Sequence, residues 1–224
     1  MSSRNKSSKP AKAEPRPAPR LYLVTPLVED ATAFAADLTT ALAAGDVAAV
    51  LLRLAPADER SMINAAKALG AVAQAKNVAL LLDGDVGLVA RAGADGAHVT
   101  GLAKFTEQIV ELKPNWIAGA GGMTSRHDAM TAAELGADYI MFGEPHEDGS
   151  RPTFESIEER IAWWSEVFEA PCVAYAAAPS EVAPLVKAGA DFIALGDWIW
   201  RDSATIASAI AEAAALMNVP ETTA

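Results

Sequence analysis

The sequence predicts an α/β fold in which eight parallel strands, each followed by a helix, close into one (β/α)8 TIM barrel. Three observations carry that reading. The first is a motif found three times: A-G-A-D-G-A-H-V at Ala92–Val99, L-G-A-D-Y-I-M-F-G-E at Leu135–Glu144 and A-G-A-D-F-I-A-L-G at Ala188–Gly196. Each copy ends an apolar, Ala-rich helical pattern with a glycine suited to the left-handed residue that closes a last turn. The Asp two residues on is suited to bonding backbone amides as the chain turns into a strand. The second observation is that the strand runs are almost continuously apolar, as parallel strands covered on both faces must be. The third is the count: eight such units fit between residues 21 and 224, at roughly 25 residues each, as a barrel of this kind requires. A doubly wound open sheet would show five or six strands and a Gly-rich first turn, which L-V-T-P-L-V-E-D at Leu23–Asp30 lacks.

In order, Leu21–Pro26 reads as the first strand, and Asp30 N-caps an Ala-rich helix ending near Gly45. Ala48–Leu54 is the second strand, with a helix from Asp58 to Lys76. Val78–Asp83 is the third, and Val86–Ala92 a short helix leading to the first glycine stop. Ala97–Thr100 is the fourth; its helix, Lys104–Lys113, is ended by Pro114. Trp116–Gly121 is the fifth, and Ser125 or Asp128 starts the helix that stops at Gly136. Tyr139–Gly143 is the sixth, followed by a helix over Glu155–Phe168. Cys172–Ala176 is the seventh, with Ser180 capping a helix to Gly189. Phe192–Leu195 is the eighth, and a last helix runs from Ser203 to Met217.

Composition narrows the class further. At 51% hydrophobic residues the chain can bury one sizeable core, and the lone Cys172 excludes a disulfide framework and fits a reducing compartment. No apolar run approaches a membrane span and no charged-then-apolar leader is present, so a cytoplasmic protein is expected. Residues 1–20 hold six Lys/Arg against one Glu, so the rest of this −11 chain carries −16. That body would repel nucleic acid and anionic membranes. The Pro-, Ser- and Lys-rich first 20 residues are too poor in apolar groups to offset their ordering entropy, and read as a basic, disordered tail ahead of a barrel over 21–224.

In such barrels the active site lies at the C-terminal ends of the strands. Position alone therefore nominates Thr25, Arg53, Asp83, Asp85, His98, Thr100, Gly121, Glu144, His146, Tyr175 to Ala178, Gly196 and Asp197. Trp198, just past the eighth strand, would stack on a heterocycle at the mouth or pack helices. Trp163 and Trp164 suit helix packing or a subunit contact, and a homo-oligomer is left open.

L-Y-L-V-T at Leu21–Thr25, Arg53 on the second strand and the three Gly-Ala-Asp copies resemble the thiamine phosphate synthase/thiazole tautomerase (TenI) superfamily over Leu21 to Ala214. The resemblance implies thiamine biosynthesis and a small phosphorylated heterocycle, a thiazole or pyrimidine, bound at the mouth. Synthases of that family join a pyrimidine diphosphate to a thiazole phosphate, with Mg²⁺ neutralising the departing pyrophosphate. Their Gln-x-Arg-x-Lys signature reads Leu51, Arg53, Ala55 here, so only the arginine survives. Their Asn-Asp reads Asp83-Gly84, and their His-x-Gly-Gln-x-Asp reads His98 to Ala103. Both Mg²⁺ carboxylates are thus absent at the aligned positions. Asp85 stands one residue away, although Asp-Gly-Asp before a helix also reads as a turn with an N-cap.

The resemblance places the ligand's phosphate on Gly121, Ala176, Ala177 and Gly196, where the family has serines and a Gly-Gly pair; Asp197 joins them by position alone. Tautomerases of the family carry a general acid/base His after the sixth-strand glycine, where this chain has Glu144. The expected roles are then anion binding by Arg53 and proton transfer by Glu144. Asp83 and His98 complete the candidate ligand-binding set. The plainer readings are a structural Arg53–Asp83 pair and a solvated Glu144 paired with Arg151. Three uses stay open: a divergent enzyme of thiamine assembly, a non-catalytic ligand binder, or an interaction protein that keeps the barrel.

Overall fold

In a computed structural model describing residues 17–146 and 148–218, eight strands pair in parallel and in sequence order, and the eighth bonds back to the first. The strands are β1 (Arg20–Val28), β2 (Val47–Leu54), β3 (Ala79–Asp83), β4 (Gly96–Thr100), β5 (Ile117–Gly121), β6 (Tyr139–Phe142), β7 (Cys172–Ala176) and β8 (Phe192–Leu195). The helices between and after them are α1 (Ala31–Ala44), α2 (Glu59–Gln74), α3 (Val89–Ala92), α4 (Leu102–Leu112), α5 (Arg126–Glu134), α6 (Phe154–Val167), α7 (Pro179–Lys187) and α8 (Ile206–Met217). Single 3₁₀ turns precede α3 and follow β8. This is the (β/α)8 barrel that the sequence predicts. Most of the predicted tail lies outside the described residues, and its last member, Arg20, opens β1.

The Gly-Ala-Asp motifs close the base of the barrel. Gly93, Gly136 and Gly189 all have positive φ at helix ends, as predicted. The aspartates reach farther than the local turn. Asp95 donates its N–H to Leu80 O at 2.8 Å and takes the Leu80 N–H on its carboxylate at 2.7 Å. Asp138 does the same with Ala118, at 2.8 and 2.7 Å, and Asp191 with Cys172, at 3.1 and 2.8 Å. Each aspartate therefore staples the start of its own strand to that of the strand before it, satisfying amides that would otherwise be orphaned. Asp46 serves β1 and β2 differently, accepting the Arg20 guanidinium at 2.8 and 3.0 Å.

Boundaries moved where turn chemistry outweighed pattern. The first strand does not stop at Pro26: a register shift between Val24 and Leu27 admits the proline as a bulge and pairing resumes to Val28. Inside that bulge Thr25 Oγ1 accepts the Arg53 N–H at 3.0 Å. The fourth helix starts at Leu102 rather than Lys104, the sixth at Phe154 behind a Thr153 cap, and the seventh at Pro179 rather than after Ser180. Ser125 and Asp128, offered as alternative caps, form one capping box together.

Side chains divide by the two-residue period of a strand. One set, including Leu23, Val50, Leu82 and Ile193, packs outward against the helices. The other fills the barrel with Tyr22, Val24, Leu51, Leu81, Tyr139, Met141, Val173 and Tyr175. Trp164 is fully buried and stacks on Phe168 at 4.1 Å. Among the described residues no helix is long and apolar enough to cross a membrane.

Candidate active site

The inward period brings Arg53 above Leu51, Asp83 above Leu81 and Tyr175 above Val173, all at the C-terminal strand ends. They face a cavity of about 610 Å³, whose lining also includes His98, Thr100, Lys104, Glu144, His146 and Asp197. Of the residues nominated from sequence, Asp85, Gly121, Ala176, Ala177, Ala178 and Gly196 are not part of this lining, and Thr25 is fully buried in the bulge of β1.

Arg53 stands between two carboxylates. Its Nε is 3.7 Å from Asp83 Oδ2 and its NH1 is 3.6 Å from Asp197 Oδ1, both beyond hydrogen-bond length. The Arg53 side chain is 37% exposed and lines the cavity. Burial pushes the Asp83 carboxyl up, the Arg53 charge opposes that, and neighbouring Asp85 adds to it. Arg53 is not the only basic residue within the strands, since Arg20 lies in β1 at the opposite end of the barrel.

Across the mouth, Glu144 is drawn inward rather than solvated. Its Oε1 accepts the Gly122 N–H, and burial pushes its carboxyl up against that bond and the charges of His146 and Arg151. Gly121 makes this geometry feasible. A Cβ there would run into Glu144 Oε1 and lie 2.7 Å from His98 Cε1, so a family serine at this position is incompatible with the two side chains as placed. His98 bonds through Nδ1 to the Tyr139 hydroxyl at 3.0 Å, and Tyr139 to the Tyr22 hydroxyl at 2.8 Å. Burial lowers the His98 pKa from 6.5 to about 4, which makes the ring neutral, and raises both tyrosines. A column of protonatable groups thus descends from the cavity into the barrel core.

Arg151 does not pair directly with Glu144. Its Nε donates to Gly143 O, its NH2 to Tyr175 O at 2.7 Å, and NH1 and NH2 each to a Glu181 carboxylate oxygen at 2.8 Å. Trp198, expected to stack at the mouth or pack helices, packs: its Nε1 donates to Ala176 O at 3.0 Å. Sequence reasoning missed Lys104 and Glu181, and named Arg151 with a different partner. Lys104 had a usable signal, because the first turn of a helix leaving a strand end overhangs the mouth; Glu181 had none. Among the described residues no three His, Cys, Asp or Glu side chains converge as a metal site.

A closed barrel whose polar side chains gather at the strand C-termini belongs to the class that carries enzyme sites. The chain belongs to the thiamine monophosphate synthase family, whose pattern it matches over residues 21–199. The thiamine-phosphate synthase of Rhodospirillum centenum is 41% identical over 196 residues, covering 86% of this chain and 95% of that protein. That of Hyphomonas neptunium is 37% identical over 207 residues, with 88% and 93% covered. Among solved structures, thiamine phosphate pyrophosphorylase from Pyrococcus furiosus shares the fold at a TM-score of 0.72 and 22% identity, covering 88% of this chain and 95% of that one. The family and the fold are those the sequence predicts.

Proposed function

We propose that this chain serves thiamine biosynthesis by binding a phosphorylated thiazole or pyrimidine in the barrel mouth, its anionic group on Arg53. The observation that carries the reading is that Arg53 lines the cavity with two carboxylates near it and neither at bonding distance. A planar fork held this way can close on a phosphate without first breaking a tight pair. Lys104 on the same lining adds a second positive charge. The names of its relatives, thiamine-phosphate synthases, agree with a ligand of this kind.

Glu144 supplies proton transfer. Desolvation favours its protonated form, and the Gly122 N–H fixes one carboxyl oxygen. A carboxyl pushed upward in a partly apolar mouth can give and take a proton nearer neutral pH than an exposed one. Neutral His98 stands beside it as the head of the tyrosine column. Asp83 is the mouth carboxylate that would hold Mg²⁺ together with phosphate oxygens of the ligand, at 3.7 Å from Arg53 Nε. No step is routed through the ion.

The test is thermal unfolding with a thiazole phosphate, a pyrimidine diphosphate and thiamine phosphate, with and without Mg²⁺. A ligand at 100 times its Kd adds about 2.7 kcal/mol of stability. Arg53→Met should abolish that shift in a folded barrel, and Glu144→Gln should spare it while removing proton transfer. An Arg53→Met chain that does not fold would show instead that pairing with the two aspartates is the residue's work.

A further inference from the structure

Gly119 on β5 stands level with a polar side chain on either side: it is the register partner of His98 on β4 and of Tyr139 on β6. A Cβ on Gly119 would overlap the Tyr139 ring and hydroxyl, so its absence lets Tyr139 lean across β5 toward His98. The hydroxyl meets His98 Nδ1 at 3.0 Å, and the two ring planes are within 14° of parallel. Tyr22, reaching from β1, completes the line at 2.8 Å from the Tyr139 hydroxyl.

Only one direction of donation satisfies this line. His98 and Tyr22 are each 2% exposed and Tyr139 is 6% exposed, and neither tyrosine lines the cavity. Among the described residues neither hydroxyl has a further partner. If Tyr22 donates to Tyr139 and Tyr139 donates to Nδ1, every hydrogen has an acceptor. In the reverse direction His98 donates from Nδ1, Tyr139 donates to Tyr22, and the Tyr22 hydrogen is stranded in the core. An imidazolium ring meets the same dead end. Stranding a buried donor favours the first arrangement by about tenfold or more.

A neutral ring that accepts at Nδ1 carries its hydrogen on Nε2. That atom lies toward Gly121 and Glu144 on the cavity side of the ring, and no hydrogen bond joins it to Glu144 or to another described residue. It is a buried donor aimed into the mouth with nothing of the chain's own to meet it.

We propose that Tyr139, backed by Tyr22, is a positioning residue that holds His98 as the Nε2–H tautomer, so that the mouth offers its ligand a hydrogen-bond donor there and requires an unprotonated ring nitrogen opposite it. His98 Nε2 then cannot take a proton from the ligand, and Glu144 is left as the acceptor. The ligand half of this inference rests on the proposed reading of the mouth; the tautomer does not.

Long-range nitrogen–proton correlation spectra of the full chain, isotope-labelled on its three histidines, read the tautomer directly, with His98→Gln assigning the signal. The parent should show His98 protonated on Nε2 by about tenfold or more over Nδ1. Tyr139→Phe keeps the ring but removes the donor, and should let the Nδ1–H form appear. A parent protonated on Nδ1, or a folded Tyr139→Phe chain with the parent's ratio, would overturn the inference. If Tyr139→Phe does not fold, coupling between His98 Nδ1 and a tyrosine hydroxyl hydrogen in the parent upholds the line, and a hydrogen bound covalently to Nδ1 overturns it. The ligand half is read by calorimetry. A thiazole phosphate should bind the parent about tenfold or more tighter than the same phosphate ester on a thiophene, which lacks the ring nitrogen. His98→Gln, whose amide can still donate, should keep that preference and His98→Met should lose it. Equal binding of the two compounds by the parent, or a preference that survives in His98→Met, would overturn the ligand half. If neither compound binds, the proposed reading of the mouth fails and the ligand half with it, while the spectrum of the free chain still decides the tautomer.

Discussion

Replacing Gly121 by alanine adds one methyl group at the most crowded point of the mouth. The backbone there does not have the positive φ that favours glycine, so the substitution probes contact alone. The new carbon would meet Glu144 Oε1 and lie 2.5 Å from His98 Nε2 and 2.7 Å from His98 Cε1. His98 cannot readily give, since it bonds to Tyr139 and stacks on that ring at 5.7 Å. Glu144 is the end of a flexible side chain, but swinging it away leaves the Gly122 N–H without its partner. Overpacking of this kind costs about 1–3 kcal/mol, and losing the acceptor of a part-buried amide costs about the same. At about 2–4 °C per kcal/mol for a domain of this size, the melting temperature should fall by about 2–12 °C. Circular dichroism melts of the single variant, of Glu144→Ala and of the double variant read this directly. Removing the carboxylate makes room for the methyl, so the double variant should be more stable than the sum of the singles predicts, by about 1 kcal/mol. Additivity within about 0.5 kcal/mol would refute the idea that Gly121 exists to admit Glu144.

Three further outcomes are expected. His98 is held neutral, with its pKa lowered from 6.5 to about 4; between those values the unfolded chain takes a proton that the folded one does not, so this contribution to stability is lost as pH falls. It is worth roughly 3 kcal/mol at most, and Glu144, shifted upward, has the opposite slope. Melts of Glu144→Gln with and without His98→Gln should therefore show an acid-side decline that the second substitution flattens. Asp138→Ala leaves the Ala118 N–H unpaired and breaks a 2.5 Å contact with Lys113; it should cost about 1–2 kcal/mol in a chemical unfolding curve, with Asp138→Asn milder. Purified protein given a pyrimidine diphosphate, a thiazole phosphate and Mg²⁺ should join them at well below about 1 s⁻¹, the low end of ordinary turnover. Faster joining would direct attention to Asp83 and Asp85, each replaced by Asn, as substitute ligands.

What could be read from the sequence depended on how far apart the interacting residues stand. Helix stops and buried strands are local, and Gly93, Gly136 and Gly189 mark them within a few residues. Strand-end residues follow from the period of two, which is why Arg53, Asp83, His98 and Glu144 were placed at the mouth from position alone. The approach of Arg53 to Asp83 is legible from their neighbouring strands, but the remaining partners are not. Gly122 lies 22 residues before Glu144, and Arg151 and Glu181 are 30 apart with no shared period to connect them. The aspartates of the repeated motif show the same divide: the turn was legible, but the amide each one caps lies 15 to 20 residues upstream.

Those staples also impose a grain on the barrel. They join β3 to β4, β5 to β6 and β7 to β8, while Arg20 and Asp46 join β1 to β2. The ring is therefore four two-strand staves, each clasped at its foot, and the seams between staves carry no clasp of this kind among the described residues. A nick in the connectors at 75–78, 113–116 or 168–171 leaves every clasp inside one piece, whereas a nick within a stave severs the covalent link between its halves. Two-piece versions of this chain should reassemble when divided along the seams, and fragments made any other way should not.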